Sequence, residues 1–231
     1  MFFFNSSIKV SDSGILNGFT DHHCHLLPGV DDGVQNADET RALLELMEQH
    51  GVEEVWFTPH VMEDVPNRPE QLRGVFDEFK YEGGIQLQLS SENMLDSEFS
   101  VDRAKQLPLP KNHVLVETSY FTAPYNFHGV LKKIMSAGTY PMLAHPCRYI
   151  YMEIPDYEEL KEMGVHFQLN VPALSGLYGN TAQKKASWLL KNNYYSIAGT
   201  DTHSIRQYRA FLESKIKKSD LKRLEELLNN H

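Results

Sequence analysis

The sequence predicts an α/β architecture, in the form of a β/α barrel of seven strands. Short β-like runs alternate with amphipathic helical patterns along most of the 231 residues, which implies parallel β/α units. Each β-like run closes on polar residues. That fits a closed or nearly closed barrel better than a doubly wound sheet, because barrel active sites gather at the C-terminal ends of the strands. No repeat, low-complexity tract or Gly/Ser/Pro-rich linker divides the chain.

Residues 1–18 read as an N-terminal extension, with a short strand near residues 8–10 and turns at Gly14 and Gly18. One domain then covers residues 19–231. Strands are expected at residues 19–24, 54–58, 85–90, 114–117, 141–145, 165–171 and 195–199. The clearest helix is 37–50: Leu43, Leu44, Met47 and His50 recur at helical spacing, Asn36 or Asp38 supplies the N-cap, and Gly51 stops it. Further helical patterns cover 70–81, 127–137, 157–163, 181–191 and 205–214. The last, 220–229, pairs an Asp220 cap with a stripe of Leu221, Leu224, Leu227 and Leu228. The charged run 215–218 before it reads as a solvated helix end.

An apolar fraction of 41% with 23% charged residues suits a soluble chain that buries a sizeable core. The net charge of −9 argues against nucleic-acid binding, which needs clustered Lys and Arg to neutralise phosphates. The two cysteines, Cys24 and Cys147, are expected as reduced thiols. Residues 1–5 are apolar but too short for a signal peptide, and no stretch approaches a membrane span, so a cytoplasmic protein is expected.

The chemistry lies where the strands end. His23 and His25 share one face of the first strand, since side chains alternate with a period of two, while Cys24 and His22 point the other way. Asp31-Asp32-Gly33 opens the following loop, where one of the two carboxylates can turn inward. His60 follows Pro59, and Glu92 follows the third β-like run. Glu117 closes the apolar run 114–116, a costly place for a charge unless it is paired or metal-bound. His145 ends the fifth run, with Arg148 three residues on, and Asp201 and His203 repeat the i, i+2 spacing after the last. Six of seven strands thus deliver a ligand-type residue at the same end; the run ending near Asn170 offers an amide. Such a set exceeds the roughly four to six donors of one divalent ion, so two or three ions with shared carboxylates are expected. Imidazole and carboxylate without thiolate suit manganese, iron or zinc alike; Mn²⁺ is the expected ion, with iron or zinc as alternatives.

Residues 21–25, 30–33, 58–60, the Glu92 segment, Glu117, 145–148 and 199–203 resemble the polymerase-and-histidinol-phosphatase (PHP) superfamily. Within it, His25-Leu-Leu-Pro-Gly-Val-Asp-Asp-Gly-Val, Thr-Pro-His ending at His60, and Ala-His-Pro-x-Arg ending at Arg148 are similar to one subfamily. These are the bacterial metal-dependent protein-tyrosine phosphatases of capsule and exopolysaccharide gene clusters. The match spans residues 19–203. The resemblance implies a distorted seven-stranded β/α, TIM-like barrel and a trinuclear centre. It implies His23, His25, Asp32 rather than Asp31, His60, Glu92, Glu117, His145, Asp201 and His203 as ligands. The implied partner is a phosphotyrosine-bearing tyrosine autokinase that governs polysaccharide export. The segment before Phe19 is longer than in the simplest members, and the second phosphate-binding arginine corresponds to Arg206 or Arg209, with Arg206 preferred.

The expected reaction is phosphomonoester hydrolysis, with Arg148 placed for a two-pronged contact to phosphate. A cysteine-based phosphatase is excluded, because the arginine it needs six residues after the thiol is Val30 for Cys24 and Glu153 for Cys147. The nearest alternative is a histidinol-phosphate phosphatase or another small-molecule phosphomonoesterase of the superfamily. A non-catalytic binding module, the alternative of another class, is disfavoured by the full ligand set. Tyr120 and Phe121, just after Glu117, read as packing rather than as the border of the pocket.

Overall fold

A computed structural model describes residues 6–229 of the chain. It begins with β1 (Ser7–Lys9) and a single helical turn, α1 (Val10–Ser13), ahead of the first long strand, β2 (Phe19–Cys24). In α2 (Ala37–Gln49) the Asn36 side chain accepts a hydrogen bond from the Glu39 N–H, satisfying one of the donors a helix start leaves open. The chain continues through β3 (Val52–Phe57), β4 (His60–Val61), α3 (Pro69–Glu78), β5 (Gln86–Leu89), β6 (Glu92–Met94) and α4 (Val101–Ala104). Four strands alternate with helices next: β7 (His113–Glu117), α5 (Phe127–Ser136), β8 (Tyr140–Leu143), α6 (Ile154–Glu162), β9 (His166–Asn170), α7 (Gly179–Lys191), β10 (Tyr195–Gly199) and α8 (Ile205–Glu213). A short strand, β11 (Lys215–Lys217), and α9 (Lys218–Asn229) complete the described chain.

The α/β class with parallel sheets is as expected. β2, β3 and β5 form one parallel sheet, and β4, β6, β7, β8, β9 and β10 a second, in that order. The two sheets interleave along the chain, since β4 of the second lies between β3 and β5 of the first. β3 leads into β4 across Thr58-Pro59, where proline cannot donate to a ladder, and β5 leads into β6 across Ser90-Ser91. Hydrogen bonds bridge the break, from Ser90 N to Phe57 O at 2.8 Å and from Glu92 N to Pro59 O at 3.0 Å. At the other side β10 meets β2: Asp201 N donates to His23 O at 2.7 Å and His25 N to Thr202 O at 2.9 Å.

The strands carry two apolar faces. Leu43, Leu44 and Met47 of α2 and Leu131 and Ile134 of α5 pack with Val55, Phe57, Val114, Val116 and Leu143 in the main core, which Val10, Ile15 and Leu16 join. On the opposite face, Leu115, Met142 and Ala144 form a small cluster with Leu109, flanked by Trp56 and Ile197. Glu117 is two residues beyond Leu115, so the apolar face becomes acidic where β7 ends.

Three local expectations are corrected. Residues 215–217 are not a helix end: they pair antiparallel with β1, and Ile216 is buried between two exposed lysines. That alternation spans three residues, too few to register as a period. Asp220 is not a cap, because α9 begins at Lys218; it is buried and accepts from Ser187 Oγ at 2.9 Å. His22 does not share the surroundings of Cys24 either. The register of β2 against β3 shifts between Asp21 and Cys24, and the His22 ring stacks on Trp56.

Candidate metal centre

All nine expected donors converge at one mouth, beyond the C-terminal ends of the strands. Eight of them form three overlapping groups, with His145 set against Glu92 beside these: His25, Asp32, His60 and His203; His23, His25, Glu92 and Asp201; and His60, Glu92 and Glu117. Within each group the ligand atoms lie within 4.8 Å of one another. His23 Nε2 is 3.2 Å from His25 Nε2, and each is within 3.3 Å of Glu92 Oε2 and 3.5 Å from Asp201 Oδ1. His60 Nδ1 faces Glu117 Oε1 at 3.0 Å and Glu92 Oε2 at 3.2 Å. His145 Nε2 lies 3.0 Å from Glu92 Oε1 and 3.8 Å from Glu117 Oε2. Asp32 Oδ1 is 3.5 Å from Nε2 of both His60 and His203.

Backbone geometry brings these groups inward. His145 and Asp201 hold φ of 33° and 55°, left-handed values that non-glycine residues seldom adopt. Each turns the chain directly after a strand. Such a conformation costs about 1–3 kcal/mol and is typical of functional sites. Two glycines allow the close approach of backbone: a Cβ on Gly33 would lie 2.1 Å from His25 O, and one on Gly199 would lie 2.6 Å from His23 Cβ.

A ring of partners fixes which imidazole nitrogen faces the mouth. His25 Nδ1–H donates to Asp31 Oδ2 at 2.8 Å, His23 Nδ1–H to Gln168 Oε1 at 3.2 Å, and His203 Nδ1–H to Asp201 O at 2.9 Å. Each of these partners only accepts, so each Nε2 keeps its lone pair for the centre. Asp31 also accepts from the N–H of His60 at 3.0 Å and of Gly33 at 3.0 Å, which makes it a hub behind the candidate ligands. Gln168 Oε1 accepts from His145 N at 3.0 Å, and Asn170 Nδ2 donates to Asp201 Oδ2 at 3.0 Å.

The electrostatics demand a counter-charge. Asp21, Glu92, Glu117 and Asp201 are all at most 3% exposed, and the Asp31 side chain is fully buried. Among the described residues, Arg148 is the one arginine or lysine paired with them, through Asp201 Oδ2 at 2.6 Å. Without a cation the imidazoles must carry the balance. Burial would lower His23, but Glu92 and Asp201 outweigh it and raise the imidazole to about 9. His25 is raised well above its ordinary value, against its burial, by Asp31 and Glu92. His203, buried beside His25, falls to about 4. Burial lifts the Asp21 carboxyl to about 6, although Thr200 and the His23 N–H hydrogen-bond to it.

Four buried atoms in the centre lack any hydrogen-bond partner: His60 Nδ1, Glu92 Oε2, Glu117 Oε1 and His145 Nδ1. Buried polar atoms are normally satisfied. Imidazole nitrogens and carboxylate oxygens facing one another at 3.0–3.5 Å, outside hydrogen-bond geometry, are the donor set divalent transition ions take. These residues fit a metal cluster.

Arg148 stands at the edge of the cluster. Its guanidinium lies between the rings of Tyr120 and Tyr178, 4.3 and 4.5 Å from their centroids, with Asp201 fixing one end. Tyr120 therefore borders the site, where packing alone was expected. The hydroxyl of Tyr178 accepts from Gln207 Nε2 at 3.1 Å, and Gln207 Oε1 accepts from His203 N at 2.8 Å, so the clamp is tied to His203. Arg206 and Arg209 are exposed on α8, and no hydrogen bond or ion pair joins either to the nine among the described residues. Both thiols are buried, and burial raises Cys147 to about 12 and Cys24 well above its ordinary value. Neither supplies a thiolate near neutral pH.

Gln168, Tyr178 and Gln207 are neighbours of the centre that residue-type reasoning passed over, while Asn170 entered it only as an amide and Asp31 only as the alternative to Asp32. Gln168 and Asn170 had a signal: two polar residues at i, i+2 in a buried strand point into the same interior. Asp31 had one in its adjacency to Asp32.

The profile of the family described as "Capsular polysaccharide synthesis, CpsB/CapC" matches residues 19–227. The chain is 24% identical over 197 residues to tyrosine-protein phosphatase YwqE of Bacillus subtilis, covering 80% of this chain and 78% of that protein. It is 26% identical over 202 residues to tyrosine-protein phosphatase CpsB of Streptococcus pneumoniae, covering 80% and 83%. A crystal structure from work on YwqE and CpsB, described as unique metal-dependent tyrosine phosphatases, superposes with a TM-score of 0.76 at 21% identity, covering 90% of this chain and 86% of that one. A phosphotriesterase homology protein from Escherichia coli superposes with a TM-score of 0.52 at 11% identity, covering 91% and 92%. The fold is therefore shared with PHP- and phosphotriesterase-like enzymes.

Proposed function

This chain belongs to the family "Capsular polysaccharide synthesis, CpsB/CapC", and on that premise we propose that it is a metal-dependent protein-tyrosine phosphatase. The observation that carries this reading is the convergence of nine imidazole and carboxylate side chains with Arg148 beside them. The substrate is phosphotyrosine on a tyrosine autokinase that controls capsular or exopolysaccharide synthesis. The protein acts in the cytoplasm; among the described residues no helix is long and apolar enough to cross a membrane. The two sheets read as one distorted seven-stranded barrel. Taking β3–β4 and β5–β6 each as one interrupted strand makes seven, and the hydrogen bonds between β10 and β2 support closure.

His23, His25, Glu92 and Asp201 would hold one cation, His60, Glu92 and Glu117 with His145 a second, and Asp32 with His203 and their neighbours a third. Mn²⁺ is preferred, with iron or zinc as alternatives. When bound, the cations supply positive charge that polarises the phosphoryl group and makes water more acidic. Arg148 presents parallel N–H donors to the phosphate, and its aromatic clamp keeps the guanidinium plane from turning away. Arg206 is the preferred second phosphate contact, over Arg209.

Side-by-side turnover of a phosphotyrosyl peptide and histidinol phosphate tests the assignment. Preference for the peptide is expected, and preference for histidinol phosphate would move the protein to the small-molecule reading. Two residues around the centre make further expectations. Asp31→Asn removes the charge behind His25 and is expected to weaken metal affinity about 10- to 100-fold, read by titrating the metal-free protein. Tyr120→Leu is expected to lower kcat/KM about tenfold by freeing one face of Arg148, whereas Tyr120→Phe keeps the ring and the rate. In an Arg148→Ala background the Leu substitution is expected to cost nothing further.

A further inference from the structure

We infer that the loops after β7 and β8 form a docking surface for an uncharged, apolar side chain close in sequence to the phosphotyrosine of a polypeptide substrate. This rests on the phosphatase reading above.

Three loops at the mouth carry no charge. Residues 118–126, 149–152 and 171–178 contain no Asp, Glu, Lys or Arg, in a chain that is 23% charged. The first two expose large apolar side chains: Phe121 is 71% exposed, Tyr125 97% and Ile150 58%. Exposed aromatic and aliphatic groups concentrated at one place mark an interaction surface. Phe121 follows Tyr120 in sequence, and Ile150 N donates to Tyr120 O at 2.9 Å, so the patch is continuous with the clamp on Arg148.

The first two loops, with the starts of α5 and α6, line an open cavity of about 340 Å³ whose apolar wall residues are Ala123, Phe127, Tyr151, Met152 and Leu160. Its one carboxylate, Asp156, already accepts from Glu153 N at 2.7 Å. Asn126 and His128 add polar groups at the wall, which is otherwise apolar, and the volume takes a Phe, Tyr or Leu side chain. A ladder of rings links this cavity to the centre: Tyr151 stacks on Tyr149 at 5.8 Å, Tyr149 on Tyr120 at 6.2 Å, and Arg148 lies 4.3 Å from the Tyr120 centroid. An extended peptide advances about 3.3 Å per residue. A side chain within about five residues of a phosphotyrosine held at Arg148 therefore reaches the cavity. The loops after β4 and β6 are different in kind, with Glu63, Asp64, Asp96 and Glu98 on them. An acidic flank would meet repulsion on that side, and an uncharged one meets none on the side proposed.

The test is a scan of phosphotyrosyl peptides in which Phe, Ser or Glu occupies each position up to five residues on either side of the phosphotyrosine. Turnover is expressed as kcat/KM relative to 4-nitrophenyl phosphate. Phe at one position is expected to raise the ratio about tenfold over Ser. Ala123→Arg, which puts a charge at an exposed site on the cavity wall, is expected to remove that gain. A scan with no Phe preference, or a preference that Ala123→Arg leaves intact, overturns the docking surface while leaving the phosphatase reading standing. A flat scan with a dimer that Ala123→Arg dissolves assigns the patch to a second copy of this chain, and also overturns it. Turnover of 4-nitrophenyl phosphate with none of any peptide overturns both readings.

Discussion

Stripped by a chelator and dialysed, the protein is expected to lose phosphatase activity by about 10³-fold or more and to regain it with Mn²⁺. The centre is a buried group of acids with Arg148 as its cationic partner, so removing the metal removes the charge that would act on phosphate. Thiol alkylation under the same assay is expected to leave the rate unchanged, since Cys24 and Cys147 are buried and burial keeps their thiols protonated. The pH dependence of loading follows from the imidazoles. His23, raised to about 9 by Glu92 and Asp201 against its burial, holds a proton at neutral pH in the metal-free protein. A cation needs the neutral ring, so loading at pH 7 releases protons and affinity falls as the solution is acidified. Calorimetric titrations in buffers of different ionisation enthalpy read that release directly. Full activity in the stripped sample would contradict the metal mechanism.

Glu92→Gln is the substitution with the largest expected effect, a loss of about 10³-fold in kcat/KM, or roughly 4 kcal/mol of transition-state stabilisation. Glu92 is fully buried, and its Oε2 is within 3.3 Å of His23, His25 and His60 nitrogens while its Oε1 meets His145 at 3.0 Å. It belongs to two of the three ligand groups, whereas Glu117 belongs to one. Gln fills the same volume without the charge, so the core around it is retained. Elemental analysis is expected to show Glu92→Gln losing more bound metal than Glu117→Gln. Equal losses would mean that Glu92 is not shared between ions.

Much of this centre is legible in the residue types because strands impose a phase. A two-residue period and one catalytic end turn scattered His, Asp and Glu into a set with a common direction, and eight of the nine donors meet there in overlapping groups, with His145 against Glu92. The phase argument stops where the strands are irregular. The register shift in β2 moved His22 away from Cys24, and β4 and β6 are separated from β3 and β5 by Pro59 and Ser90-Ser91, breaks that hydrophobic patterning does not mark. Contacts made by loops were also hidden. Tyr120 and Tyr178 reach Arg148 from segments 58 residues apart, and Asp31 differs from Asp32 only in which way a turn points it. The strand of Lys215–Lys217 was concealed because its partner is a three-residue segment near the other end of the chain.

Metal content per chain, measured on purified protein after dialysis against metal-free buffer, tests the central claim most directly. Two or three ions of manganese, iron or zinc per chain, matching the three overlapping ligand groups, are expected. A chain that holds no such ion and still hydrolyses a phosphotyrosyl peptide at full rate would contradict it.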